Sequence, residues 1–261
     1  MRISLIQADL KLGDVDANLT HLEEMMSTSL TEKPDVIVLP EMWNTSFFPE
    51  NVAQLADEEG KMAKDFLGEF ARKNQVNIVG GSVANLKQGI LKNTCYSFDR
   101  GGDLIAEYDK VHLFSPSGED KVFTPGDQLV TFKLDGVKAG IIICYDVRFL
   151  EWVRMYALAG IDILFVPAAW PLIRRIHWRT LNQARAIENQ MFVACLNSVG
   201  PAGKGKYGGN SSIIDPWGEY IVDSDDQEVI LTGDADFSVI RNIRSSINVF
   251  NDRRPALYQF D

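Results

Sequence analysis

Residues Val137–Leu150 read VKAGIIICYDVRFL, and the fold is decided where this stretch changes character at Cys144. Ala139 to Ile143 is a short run of small and β-branched residues, the composition of a buried strand. Tyr145, Asp146 and Arg148 follow at once, so polar groups gather just past the strand's end. Ligands of open α/β sheets sit beyond the carboxyl ends of strands. A cysteine there, beside a turn with free backbone N–H groups, is placed to act as a nucleophile. Taken alone, it also reads as a buried free cysteine, which behaves as a small hydrophobe.

The same pattern occurs earlier in the chain. Asp35–Leu39 (DVIVL) reads as a second buried strand, stopped by Pro40 and followed by Glu41. From the N-terminus the order is a strand (Ile3–Ala8), a helix (Asp16–Leu30), the DVIVL strand, a helix (Lys61–Asn74), a strand (Val76–Val83) and a hairpin (Asn93–Tyr108). After an irregular segment, Val111–Gly126, this order returns. Val137–Ile143 is a strand, Glu151–Ala159 a helix, Asp162–Pro167 (DILFVP) a strand, His177–Gln190 a helix and Met191–Val199 a strand. NSSIIDPWGEYIV from Asn210 then echoes NTCYSFDRGGDLI from Asn93. A repeat of half the chain is too long for a solenoid. It predicts two similar α/β halves with their sheets packed together and helices outside, and it predicts Glu41 and Cys144 on neighbouring strands. No linker separates the halves, so residues 1–261 read as one domain. The polar tail around NVFNDRRPALY, with Pro255, predicts an extended C-terminal arm over about 241–261 rather than a helix.

Composition narrows the function classes. The 261 residues are 46% hydrophobic and 24% charged, as in an ordinary globular protein. A net charge of −10 argues against nucleic acid as a partner, because phosphate binding wants a basic face. Cys95, Cys144 and Cys195 are odd in number and widely spread, which is no disulfide framework. His21, His112 and His177 are too scattered for a zinc site, so no metal is expected. The absence of a signal-like N-terminus or a membrane-length apolar run predicts a cytoplasmic protein with no membrane partner. Cys95 and Cys195 sit inside strand patterns and read as core.

Three residues stand just past strand ends: Glu41, Lys110 and Cys144. Each alone has an ordinary alternative, respectively a loop carboxylate, a surface lysine and a core thiol. Together, LPEMW (Leu39–Trp43), YDKVHLF (Tyr108–Phe114) and ICYDVRF (Ile143–Phe149) resemble the glutamate, lysine and cysteine motifs of the nitrilase superfamily of carbon–nitrogen hydrolases. WRTLNQARAIENQMFV (Trp178–Val193), GNSSIIDPWGE (Gly209–Glu219) and DRRPALY (Asp252–Tyr258) extend the resemblance over nearly the whole chain.

The resemblance implies a four-layer α-β-β-α sandwich and a homodimer or larger assembly, with no metal or organic cofactor. It implies Glu41 as general base, Cys144 as nucleophile forming a thioester, and Lys110 as the charge that meets the developing oxyanion. The backbone N–H of Tyr145 would be a second oxyanion donor. Glu119 matches a further family glutamate that positions substrate or binds the lysine; as a surface charge it would do neither. AAWPLIRRIHWRTLNQARAIENQ resembles the omega-amidase branch, which implies a small omega-amide substrate of the 2-oxoglutaramate or 2-oxosuccinamate type. Arg148 could then bind the substrate carboxylate or make a structural ion pair, and Trp170 and Phe114 could line the pocket or belong to the core. Arg174 and Arg175 read as rim charges, and Arg185 with Glu188 as a structural ion pair. Other family amidases act on deaminated glutathione or N-carbamoyl compounds, and a non-catalytic binding protein is a third reading.

Overall fold

Val36, Ile37 and Val38 are all fully buried, yet they face two different cores. Successive residues of a strand point to opposite faces. Val36 and Val38 join Ile3 and Leu5 in one cluster, while Ile37 joins Ile6 in another. A strand buried on both faces has no polar positions to alternate, which is why DVIVL reads as an unbroken apolar run.

The computed structural model describes residues 1–203 and 205–258. Its strands include Arg2–Gln7 (β1), Val36–Val38 (β2), Asn77–Val79 (β3), Val83–Lys87 (β4), Ile90–Phe98 (β5), Leu104–Asp109 (β6), Thr131–Leu134 (β7), Val137–Ile141 (β8), Ile163–Ala168 (β9), Phe192–Asn197 (β10), Ser212–Ile214 (β11), Tyr220–Asp223 (β12) and Val229–Asp234 (β13). The first sheet runs β13–β1–β2–β3–β5–β6, with β4 also paired to β5. The second runs β7–β8–β9–β10–β11–β12. Strand for strand the two orders agree in direction. Each has an antiparallel edge strand, three parallel strands and then two antiparallel ones. The halves of the sequence repeat are therefore two sheets of one design, and the chain returns at β13 to close the first.

The main helices lie outside. Val15–Ser29 (α1) starts at Asp14, whose carboxylate accepts the Ala17 N–H at 3.2 Å as a helix cap. Leu22 and Met26 of α1, with Leu67 and Phe70 of Lys61–Asn74 (α2), cover one sheet beside Ile37 and Ile78. Leu150–Leu158 (α3) and Arg175–Asn189 (α4) cover the other through Val153, Tyr156 and Ala186. The central cluster draws Ile3, Leu5 and Val38 from one sheet and Ile141, Ile163 and Phe165 from the other. The layers are thus α, β, β and α. Among the described residues no helix is long and apolar enough to cross a membrane.

Two expectations are corrected. Glu41 and Cys144 are not on neighbouring strands: β2 lies in the first sheet and β8 in the second, so the repeat faces the two strand ends across the sandwich. The tail does not begin as an extended arm. Val239–Ser246 (α5) is helical because Ile240 and Ile243, one turn apart, both bury against the body. Beyond it Val249–Asp252 is a short helix and Pro255–Leu257 a single tight turn; the end of the expected arm, 259–261, lies outside the described residues.

Candidate active site

Glu41 is held by the segment that follows it. The Met42 N–H donates to the Ser82 hydroxyl at 2.9 Å, and the Trp43 N–H to the Ser82 carbonyl at 2.9 Å. The Trp43 indole donates to the Gly80 carbonyl at 2.8 Å. This clamp needs Gly81, whose φ is +60° and where a Cβ would lie 2.0 Å from the Pro40 carbonyl oxygen. Lys110 leaves the end of β6 and is pinned through its main chain, its N–H donating to Asn93 O at 2.9 Å and its carbonyl accepting from Gly126 at 2.8 Å.

The side chains meet in the buried interior. Glu41, Lys110 and Glu119 are each at most 1% exposed. The Lys110 ammonium lies 2.8 Å from Glu41 Oε1 and 2.9 Å from Glu119 Oε2. Glu41 Oε2 accepts the Ala169 N–H at 2.8 Å, which carries its grip across to the second sheet. Glu119 Oε2 accepts the Phe114 N–H at 2.6 Å. Burial pushes the Glu41 carboxyl above its ordinary range; Lys110 pulls against that shift and Glu119 adds to it. For Lys110 burial acts downward, but the two carboxylates outweigh it and hold the ammonium charged.

Cys144 opens a tight helical turn, Cys144–Arg148, with φ at +48°. A left-handed non-glycine residue costs about 1–3 kcal/mol and persists only where its surroundings enforce it. Here Asp146 does so. Its carboxylate accepts the Ile143 N–H at 2.9 Å, the Tyr108 hydroxyl at 2.7 Å, and the His112 N–H and Nδ1 at 2.8 Å each. Tyr108 and His112 flank Lys110, so one buried carboxylate ties the cysteine turn to the lysine segment. Burial pushes the Cys144 thiol well above its usual value, and the Glu41 charge adds to this, so the resting sulfur is a thiol that needs a base.

Cys144 forms the floor of a cavity of about 360 Å³ whose walls include Phe114, Tyr145, Arg148, Trp170 and Arg174. The Arg148 guanidinium lies over the Trp170 ring, 4.6 Å from its centre, and that of Arg174 over Phe114 at 5.4 Å. Arg148 Nη2 also meets His177 Nδ1 at 3.2 Å. Neither arginine has a carboxylate partner among the described residues. Arg148 is depressed by burial and by the charge of Arg174 nearby.

The chain has counterparts among known proteins. The carbon–nitrogen hydrolase family profile matches residues 2–245. The chain belongs to the carbon–nitrogen hydrolase family. It is 41% identical over 256 residues to 2-oxoglutaramate amidase of Bacillus subtilis (strain 168), covering 98% of each chain. Omega-amidase NIT2 of Homo sapiens is 32% identical over 273 residues, covering 98% of this chain and 96% of that one. A carbon–nitrogen hydrolase superfamily protein of Xanthomonas campestris, with an arsenic adduct in its active site, superposes with a TM-score of 0.92 at 26% identity, covering 100% and 99% of the two chains. A mutant of the amidase from Nesterenkonia sp. AN1, at TM-score 0.86 and 25% identity over 98% and 95%, shows covalent addition of the acetamide moiety of fluoroacetamide at its active-site cysteine.

The eight residues given a catalytic, supporting or substrate-binding role in the sequence gather here, in two groups. Glu41, Lys110 and Glu119 form the buried ion cluster. Cys144, Tyr145, Arg148, Trp170 and Phe114 line the cavity of this carbon–nitrogen hydrolase. Arg174 is a cavity residue, whereas Arg175 is not. Arg185 does pair with Glu188, at 2.8 Å. Sequence reasoning passed over Asn93, Asp146, the Ala169 N–H and the buried cavity residue Tyr207. For Asp146 a signal existed, an acidic residue two places after the nucleophile; the other three carry none.

Proposed function

We propose that the chain is an amidase that releases ammonia from the terminal amide of a small omega-amide, of the 2-oxoglutaramate or 2-oxosuccinamate type. The observation that carries the substrate half of this reading is the pair of guanidiniums, Arg148 and Arg174, facing the cavity without carboxylate partners. A half-buried cation facing the cavity lacks a counter-charge, and a substrate carboxylate at the end away from the amide supplies the partner. The Bacillus subtilis relative, a 2-oxoglutaramate amidase, supports the same class.

In this reading Glu41 takes the Cys144 proton as the sulfur attacks the amide carbon. The oxyanion is met by Lys110 and by the Tyr145 N–H, which as a first-turn donor lacks an intrahelical acceptor. When the tetrahedral centre collapses, the C–N bond breaks and Glu41 passes its proton to the departing nitrogen, so ammonia leaves and a thioester remains. Glu41 then deprotonates a water that attacks the thioester, and the proton returns to the sulfur as the acid departs. Glu119 holds the Lys110 ammonium in place.

The test is ammonia release from 2-oxoglutaramate, glutamine, a nitrile and an N-carbamoyl amine at equal concentration. We expect the 2-oxo acid amide to give the highest kcat/KM. Faster turnover of the N-carbamoyl amine would overturn the assignment.

We also read residues 1–261 as one domain, because one core cluster is shared by both sheets. A homodimer or larger assembly is supported by the uncovered Leu150, Met155 and Ile176 on α3 and α4. Light scattering at micromolar concentration checks this, and a stable monomer would refute it. Three free cysteines support a reducing, cytoplasmic setting.

A further inference from the structure

Asn93 lies on β5, 1% exposed, between the two carboxylates that flank Lys110. Its side-chain nitrogen donates to Glu41 Oε1 at 2.9 Å and to Glu119 Oε1 at 3.1 Å. A primary amide nitrogen carries two hydrogens, one for each acceptor. The orientation is forced: with the amide turned over, its oxygen would face two carboxylates. Its Oδ1 has no partner among the described residues, so nothing on the far side dictates the arrangement. The Asn93 main-chain carbonyl takes the Lys110 N–H at 2.9 Å. One residue thus touches both carboxylates and the backbone of the lysine between them.

Lys110 alone cannot fix that geometry. An ammonium is a compact point charge on a flexible stem, with no planar fork to orient a carboxylate. Two carboxylates sharing one cation also repel each other, and the planar amide between them sets their separation.

We propose that Asn93 is a positioning residue of the site: by dividing its two amide hydrogens between Glu41 and Glu119 it fixes both carboxylates around the Lys110 ammonium. This rests on the reading of Glu41 as the base that takes the Cys144 proton. Both hydrogen bonds favour the ionised carboxylates. Without them Glu41 reaches its basic form only at higher pH.

The test is the pH profile of kcat/KM for 2-oxoglutaramate in wild type, Glu41→Gln and Asn93→Leu, the last retaining shape without the donor. We expect Glu41→Gln to be inactive. In Asn93→Leu the acid limb should move to higher pH by about one unit, and kcat should fall on the order of tenfold with KM nearly unchanged. A merely structural asparagine would lower activity equally at all pH and leave the limb in place. An unmoved limb in folded Asn93→Leu, with Glu41→Gln inactive, overturns the place of Asn93 alone. Turnover by Glu41→Gln overturns the assignment of the base instead. A measurement on the unaltered protein stands beside these and does not depend on the variant folding. The Asn93 Hδ2 resonance bonded to Glu41 should shift in the pH range of the acid limb, and no shift of either Hδ2 resonance in that range overturns the proposal.

Discussion

Two sets of charges lie close to Cys144 and are built in opposite ways. Glu41, Lys110 and Glu119 are buried, and each ion has a partner of the other sign within 3 Å. Arg148 and Arg174 are half-buried, rest on aromatic faces and have no carboxylate partner among the described residues. A closed and balanced set keeps its geometry whether or not a ligand is present, which suits groups that must be ready at the moment of reaction. The open set lacks a counter-charge, which suits recognition, because the ligand brings it. Changes in the closed set should therefore act on every substrate alike, and changes in the open set should discriminate between substrates.

The largest effect expected is from Cys144→Ala, which removes the proposed nucleophile. Ammonia release should fall to background for all amides while the thermal midpoint stays near that of wild type. Turnover at the wild-type rate would end the assignment of the nucleophile.

Next come changes inside the closed set. Lys110→Met should reduce kcat/KM by on the order of 100-fold or more for acidic and neutral amides alike. It should also cost about 3–5 kcal/mol of stability, since two buried carboxylates lose their cation. The sign of its pH dependence follows. The Glu41 carboxyl, already raised by burial, loses the cation that opposes that shift, so this variant should regain stability as pH falls toward 5 and lose it as pH rises. Denaturant titrations at several pH values check this; a loss independent of pH would contradict the ion-cluster account. In wild type, Glu41 stands above its ordinary 4.5. The acid limb of kcat/KM should accordingly have its midpoint above that value, and one at or below it would contradict the burial argument.

Arg148→Met sharpens the comparison most directly. The ratio of kcat/KM for 2-oxoglutaramate over a neutral short amide should fall by roughly 10- to 150-fold, the worth of one charge-assisted contact. An equal loss on both substrates would place Arg148 with the structural charges. Arg174→Met should move the same ratio in the same direction by only about two- to fivefold, as for a more solvent-screened pair. A larger effect at Arg174 than at Arg148 would reverse their order in the pocket.

The closed set was more legible in the sequence than its supports. Glu41, Lys110 and Cys144 stand past strand ends, where a buried apolar run stops at a polar residue, and a pattern of that kind survives in one dimension. The repeat exposed the two sheets for the same reason. It misplaced Glu41 and Cys144 as strand neighbours, because a repeat specifies two equal sheets but not that they meet face to face. Asn93 was invisible, since an asparagine inside a hairpin is ordinary until the fold brings Glu119 and Glu41 to its amide. The Ala169 N–H is a main-chain group and leaves no trace in residue type. The helix Val239–Ser246 was missed because only Ile240 and Ile243 mark its buried face amid polar neighbours and a later proline.

The hydrogen bond from the Ala169 N–H to Glu41 makes the enzyme a gauge of its own alignment. It spans the sandwich, joining the strand end of one sheet to that of the other. The sulfur stands on the second sheet and the carboxylate on the first, so a slip of one sheet along the other separates them. A misplacement of about 1 Å can cost on the order of 100-fold in rate, far less movement than loses the helices or the core. In rising denaturant, turnover should therefore fade while the circular dichroism of the helices is still intact.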